Sequence, residues 1–147
     1  MAELLFTEGN TRLQVAVDSW EAAVELGGEL LVAQGCAENS YIDGMIEFTK
    51  KNNEDVVLAE GMAVPHARFE KGAFRRGVSM ITLKAPLYFA DSHDLVQVVI
   101  CFSAMNVQES LHILSMVIDF IETKLIDRLA GAQTVDEVNR LIQSMGI

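Results

Sequence analysis

With 147 residues, half of them apolar and only two prolines, the chain is sized for a single domain, residues 1–147, with its own core and little room for disorder. Twenty-one acidic residues against eleven basic ones give a net charge of −10, which argues against nucleic acid and anionic membrane surfaces as partners. The longest apolar run, residues 95–105, is interrupted by Gln97 and Ser103 and falls short of the ~18 residues of a membrane span; the opening residues carry no secretory signal pattern. The expectation is a cytoplasmic protein without direct membrane insertion.

Residues 12–17 alternate polar with apolar side chains, the pattern of a half-buried strand. Asp18 and Ser19 offer N-caps for a helix through Gln34, and Gly35 supplies its stop. Gly27 and Gly28 lower helix propensity within it and mark a place of close packing. A second helix is expected over residues 40–51, ended by Asn52 and Asn53. Residues 56–58 and 62–64 are short β-prone pieces on either side of Gly61.

Residues 78–83 and 95–102 have the composition of buried strands, the second a nearly unbroken apolar run of the kind covered on both faces. Cys101 lies inside that run and fits a small buried apolar residue; the chain's other cysteine, Cys36, is not in C-x-x-C spacing with it. Pro86 and residues 91–94 mark a loop between the two strands. From residue 109 to 122 the period turns helical, with Leu111, Leu114, Val117, Ile118 and Ile121 as the apolar stripe. A short helix over residues 124–130 closes at Gly131, and Thr134 with Glu137 forms a capping box for a last helix reaching Met145. Strands and helices alternate, with helices enough for both faces of one sheet: a three-layer α-β-α sandwich of the α/β class. The strand order cannot be read from the pattern.

The chemistry concentrates at residues 61–70, where His66 follows a short apolar run and Pro65. Pro65 restricts its own backbone and biases Val64 towards extended geometry, so His66 leaves a strand end in fixed orientation. Open α/β sheets place ligand crevices at such ends. Four of the eleven basic residues, Arg68, Lys71, Arg75 and Arg76, lie within nine positions of one another just after it. They form either an ordinary solvated loop or a local attractor for an anion on an otherwise repelling surface. A neutral imidazole, with an unperturbed pKa near ~6.5, can attack phosphorus directly. Phosphoryl transfer then asks mainly for positioning and for donors to the equatorial oxygens, which the Arg68 guanidinium and backbone N–H groups such as that of Ala67 can supply. His66, His93 and His112 lack metal-site spacing, and no G-x-S-x-G, P-loop or G-x-G-x-x-G string is present. No metal and no cofactor is expected.

Residues 58–68, L-A-E-G-M-A-V-P-H-A-R, resemble the active-site signature of the fructose/mannitol-type IIA components of the bacterial phosphoenolpyruvate-dependent sugar phosphotransferase system (PTS). The resemblance extends over nearly the whole chain. It implies a mixed sheet flanked by helices on both sides and a phosphotransferase component with a phosphohistidine intermediate. The histidine at the position of His66 would accept a phosphoryl group from HPr and pass it to a cysteine of a IIB component, which serves a IIC membrane channel. Apolar residues such as Met62 and Phe69 would form the docking rim.

Two positions depart from the family pattern. Many members carry a second histidine where this chain has Ser110; His112 lies two positions on, roughly 200° around the helix. Many also carry an arginine in the second helix, where this chain has Phe48 with Lys50 and Lys51 nearby. Glu60, six residues before His66, either orients a basic group or faces solvent. Residues 106–111 and 126–129 resemble galactitol-type members, and residues 57–68 are nearly as close to ascorbate-type ones; the reading leans to galactitol, with ascorbate and fructose open. The alternative is a regulatory IIA-like domain whose phosphorylation state controls a partner protein.

Overall fold

The computed structural model describes residues 5–146; residue 147 and residues 1–4, part of the segment that carries the signal-peptide reading, lie outside them. Strands β1 (Thr11–Val15), β2 (Val57–Ala59), β3 (Gly61–Ala63), β4 (Gly77–Tyr88) and β5 (Leu95–Ser103) form one sheet in the order β1-β4-β5-β3-β2. β1 runs parallel to β4 and β3 parallel to β5, while β4–β5 and β2–β3 are antiparallel. The mixed sheet is covered on one face by α1 (Trp20–Ala33) and α2 (Asn39–Lys51). On the other lie α3 (Val107–Glu122), α4 (Ile126–Gly131) and α5 (Val135–Gln143). The expected sandwich is the observed one.

Strand β5 shows why its sequence looks uniformly apolar. Val98, Ile100 and Phe102 pack towards α3 and α4, whereas Val99 and Cys101 pack towards α1 and α2. Alternate side chains of a strand point to opposite faces, so a central strand between two helical layers buries both sets. The helix starts follow their caps. Ser19 Oγ accepts from the Ala22 N–H at 3.1 Å, Asn106 Oδ1 from Glu109 at 2.8 Å, and Thr134 Oγ1 from Glu137 at 3.1 Å. Gly35 takes the left-handed φ of 74° that ends α1.

Three expectations require correction. Pro86 does not end a strand: β4 continues to Tyr88, and its pairing with β5 shifts register between Thr82 and Leu87. A proline lacks the ladder donor, and the irregular stretch spares it that role. β1 stops at Val15, two residues short, after an irregularity in which Gln14 adopts φ 55°. In α3 the buried residues are Ile113, Val117 and Phe120, while Leu111 and Ile118 of the expected stripe are exposed. This helix carries apolar side chains around most of its circumference, so the period alone does not select the face that meets the sheet.

Gly27 sits where α1 crosses the sheet, and a Cβ there would lie 2.5 Å from Cys101 Sγ and 3.3 Å from Ser79 Oγ. Gly27→Ala, which would help an exposed helix, should therefore cost about 1–3 kcal/mol here by overpacking, seen as a lower urea midpoint. An unchanged or raised midpoint would mean that the helix does not need this close approach.

Candidate active site

β3 leads directly into Val64-Pro65-His66, and the segment is pinned on both sides. The Val64 N–H donates to Val56 O at 2.8 Å, and the Phe102 N–H donates to Pro65 O at 3.1 Å. The imidazole thus emerges at the C-terminal end of β3, beside the C-terminal end of its parallel neighbour β5. Its Nδ1 lies 2.7 Å from the Val64 carbonyl oxygen. A carbonyl only accepts, so Nδ1 carries the proton, and the in-plane lone pair is on Nε2.

Two aromatic rings hold the imidazole. Phe102 stacks on it at a centroid distance of 4.6 Å and 16°, and Phe48 packs against it at 4.7 Å and 47°. Both contacts fall in the range where aromatic pairs attract beyond simple burial. Phe48 gives that side of the ring an apolar wall. Burial lowers the His66 pKa below 6.5, while the Val64 hydrogen bond and the Asp55 carboxylate partly oppose that shift. The ring is therefore neutral at neutral pH.

The other expected residues are distributed unevenly around it. Arg68 is exposed, with Nε 3.2 Å from Glu70 in a surface ion pair. It shares a small cleft of about 90 Å³ with Phe48, Lys51, Ala67 and Lys71. Lys50 is exposed outside this cleft, and Lys51 takes the place expected of it. The Ala67 N–H is already engaged, donating to the Tyr41 hydroxyl at 3.1 Å. Glu60 is exposed in the β2–β3 turn, at the opposite end of β3 from His66, and the carboxylate that acts on the imidazole is Asp55. Ser110 is half-buried in the first turns of α3, and its hydroxyl makes no hydrogen bond among the described residues; His112 is exposed.

Of the basic cluster, Arg75 turns away and donates to the Gln34 carbonyl at the end of α1. Met62 is fully buried under α3 and α4 and cannot belong to a docking rim, whereas Phe69 is 45% exposed and can. Phe102 and Tyr41 are the site residues that the sequence alone did not reveal. Each is distant from His66 in sequence or lacks a signature of its own.

Over residues 4–145 the chain matches the family described as phosphoenolpyruvate-dependent sugar phosphotransferase system, EIIA 2. It is 35% identical over 134 residues to the ascorbate-specific PTS system EIIA component of Escherichia coli K12, covering 89% of this chain and 87% of that protein. The protein of the same description in Salmonella choleraesuis is 32% identical over 145 residues, 97% of this chain and 94% of its own. Among solved structures, the complex of Escherichia coli mannitol enzyme IIA with phosphorylated enzyme IIB contains a match at TM-score 0.80 and 26% identity, covering 95% of this chain and 97% of that one. The chain belongs to the type-2 EIIA family: it is a phosphotransferase component with a phosphohistidine intermediate, passing its phosphoryl group to a IIB component.

The depressed His66 pKa has a consequence for stability and for titration. Below 6.5 the unfolded chain takes up a proton that the folded ring resists, so the stabilisation associated with neutral His66 is lost as pH falls from 6.5 through the folded pKa. The His66 ring resonances should titrate with a midpoint below 6.5, and the ¹⁵N shifts above it should report a protonated Nδ1. A midpoint above 6.5 would contradict the burial argument.

Proposed function

We propose that His66 is the phosphorylated residue, and that the chain is a cytoplasmic phosphocarrier taking its phosphoryl group from HPr for uptake of ascorbate. The observation that carries the first part is the tethered ring: Nδ1–H bound to Val64 O at 2.7 Å with Nε2 left as the nucleophile. Nε2 attacks the phosphorus of phospho-HPr as the P–N bond to the HPr histidine breaks. The positive charge that develops on the ring is shared with the Val64 carbonyl through Nδ1–H. Onward transfer reverses these roles, with a IIB cysteine thiolate as the attacking group and Nε2 leaving with its lone pair. Arg68, Lys51 and Lys71 line the cleft beside the ring, where cations would favour the phosphoryl oxygens.

No helix of the described residues is long and apolar enough to cross a membrane. Ascorbate replaces galactitol as the favoured substrate because the relatives at 35% and 32% identity are ascorbate-specific components. Galactitol rested on two short strings, residues 106–111 and 126–129, which are weaker support than similarity along most of the chain.

Incubation with phosphoenolpyruvate, enzyme I and HPr should add one acid-labile phosphoryl group to the intact mass, and His66→Ala should abolish it. Label that survives in the alanine variant would move the nucleophile elsewhere. Arg68→Gln should slow uptake about tenfold, or ~1.4 kcal/mol in the barrier. Offered ascorbate-type and mannitol-type IIB proteins side by side, the phosphorylated chain should load the ascorbate type at least ~10-fold faster, an effect of the same size. Equal or reversed rates would remove the ascorbate assignment while leaving the phosphocarrier intact.

A further inference from the structure

The hydroxyl of Tyr41 lies at the centre of the backbone that frames His66. Tyr41 is fully buried in the first turn of α2. Its Oη accepts the Ala67 N–H at 3.1 Å and lies 2.9 Å from Phe102 O and 3.1 Å from Ala67 O. One phenol carries one proton, and the shorter contact gives it to Phe102. The same oxygen therefore ties the residue after the nucleophile to the residue whose ring stacks on the nucleophile at 4.6 Å. Gly44, one turn further along α2, continues the contact: a Cβ there would lie 3.3 Å from Ala67 Cβ and 2.9 Å from Lys71 Cβ. No other side chain among the described residues bonds to both segments.

We propose that Tyr41 is a positioning residue for phosphoryl transfer, its hydroxyl locking the Ala67 peptide to the Phe102 carbonyl so that the imidazole keeps its stack and its Nε2-nucleophile tautomer. This rests on His66 being the nucleophile. The latch explains why Ala67 N–H is not a free phosphoryl donor: that hydrogen bond holds the ring's own support in place. A buried O–H between two peptides suits the task because it has a fixed neighbour on each side and no solvent to exchange with. Its proton is held firmly, since burial raises the Tyr41 pKa to about 12.

Tyr41→Phe keeps the ring and removes only the latch. Phosphorylation by enzyme I, HPr and phosphoenolpyruvate should then proceed with a limiting rate about tenfold lower, with the KM for phospho-HPr within twofold of the parent. The ¹⁵N shifts of the His66 ring should show the Nε2–H tautomer rising, a readout that needs no phosphorylation. Phe120→Leu, a core substitution in α3 that removes no hydrogen bond to either tethered segment, destabilises the fold in general and should alter neither quantity at a temperature well below unfolding. Should Tyr41→Phe fail to fold, the wild-type chain still decides the matter: its Ala67 amide must exchange with deuterium far more slowly than those of open loops. A variant with parental rate and tautomer, a rate loss matched by Phe120→Leu, or a fast-exchanging Ala67 amide would each overturn the latch. Absence of label in the wild-type chain would instead overturn the reading of His66, and the tautomer shift would still judge Tyr41.

Discussion

The parallel pairing of β3 with β5 is the constraint on which the site depends. The ladder runs from Gly61 opposite Val96 to Ala63 opposite Val99, and is extended by the bond from Phe102 N–H to Pro65 O. It carries the chain past the end of the strand without letting it turn away. His66 therefore lies beside Phe102, thirty-six positions later in the sequence. Parallel neighbours end on the same side of a sheet, so both strands deliver their last residues to one crevice. A hairpin between these strands would have placed Phe102 at the wrong end. Burial of β5 on both faces in turn makes this ladder hard to open, because opening it exposes two cores at once.

Charge on this protein works at two ranges. The net −10 acts over the whole surface and discourages polyanions, whereas the cleft at Phe48 and Ala67 gathers Arg68, Lys51 and Lys71 around one carboxylate, Glu47. Lys51 pairs with Glu47 at 2.7 Å and Arg68 with Glu70 at 3.2 Å, both on exposed surface. Such surface pairs are worth roughly 0–1 kcal/mol and exchange readily. Lys51 and Arg68 are thus held near the cleft without being committed, and on the proposed chemistry a phosphoryl dianion would displace their carboxylate partners at small cost. A buried arginine ion pair could not be re-addressed so cheaply.

The fold was legible where local rules decide the outcome. Ser19, Asn106 and Thr134 announce helix starts because a side-chain oxygen must satisfy an orphan N–H, and the apolar run of β5 announces a central strand. Legibility fails where the tertiary context chooses between equal local options. Nothing local tells α3 to bury Phe120 and leave Leu111 outside, or tells β4 to run on through Pro86. His66 was visible through Pro65 and its signature, and the choice of nitrogen was not, because it depends on a carbonyl direction. Glu60 and Lys50 stand out through the family pattern, whereas the fold puts Glu60 at the far end of β3 and lines the cleft with Lys51, from the last turn of α2.

Phe48, packed against the imidazole, shapes what the ring's environment favours. A polar or cationic neighbour would stabilise the phosphoryl oxygens; an apolar ring acts on the imidazole itself. Desolvation disfavours any charged form of that ring, which keeps the resting imidazole neutral. On the proposed chemistry the same desolvation acts again after transfer, because a ring phosphorylated at Nε2 while protonated at Nδ1 carries positive charge. The Val64 carbonyl offsets part of that penalty through a single hydrogen bond of 2.7 Å, and the remainder makes the phosphorylated state less comfortable than it would be beside solvent. For a protein that must pass its phosphoryl group on, a loaded state that is not too stable is an advantage. Phe48 and Phe102 then favour release as much as acceptance, and the exposed cations of the cleft, not the walls of the ring pocket, are left to hold the phosphoryl oxygens.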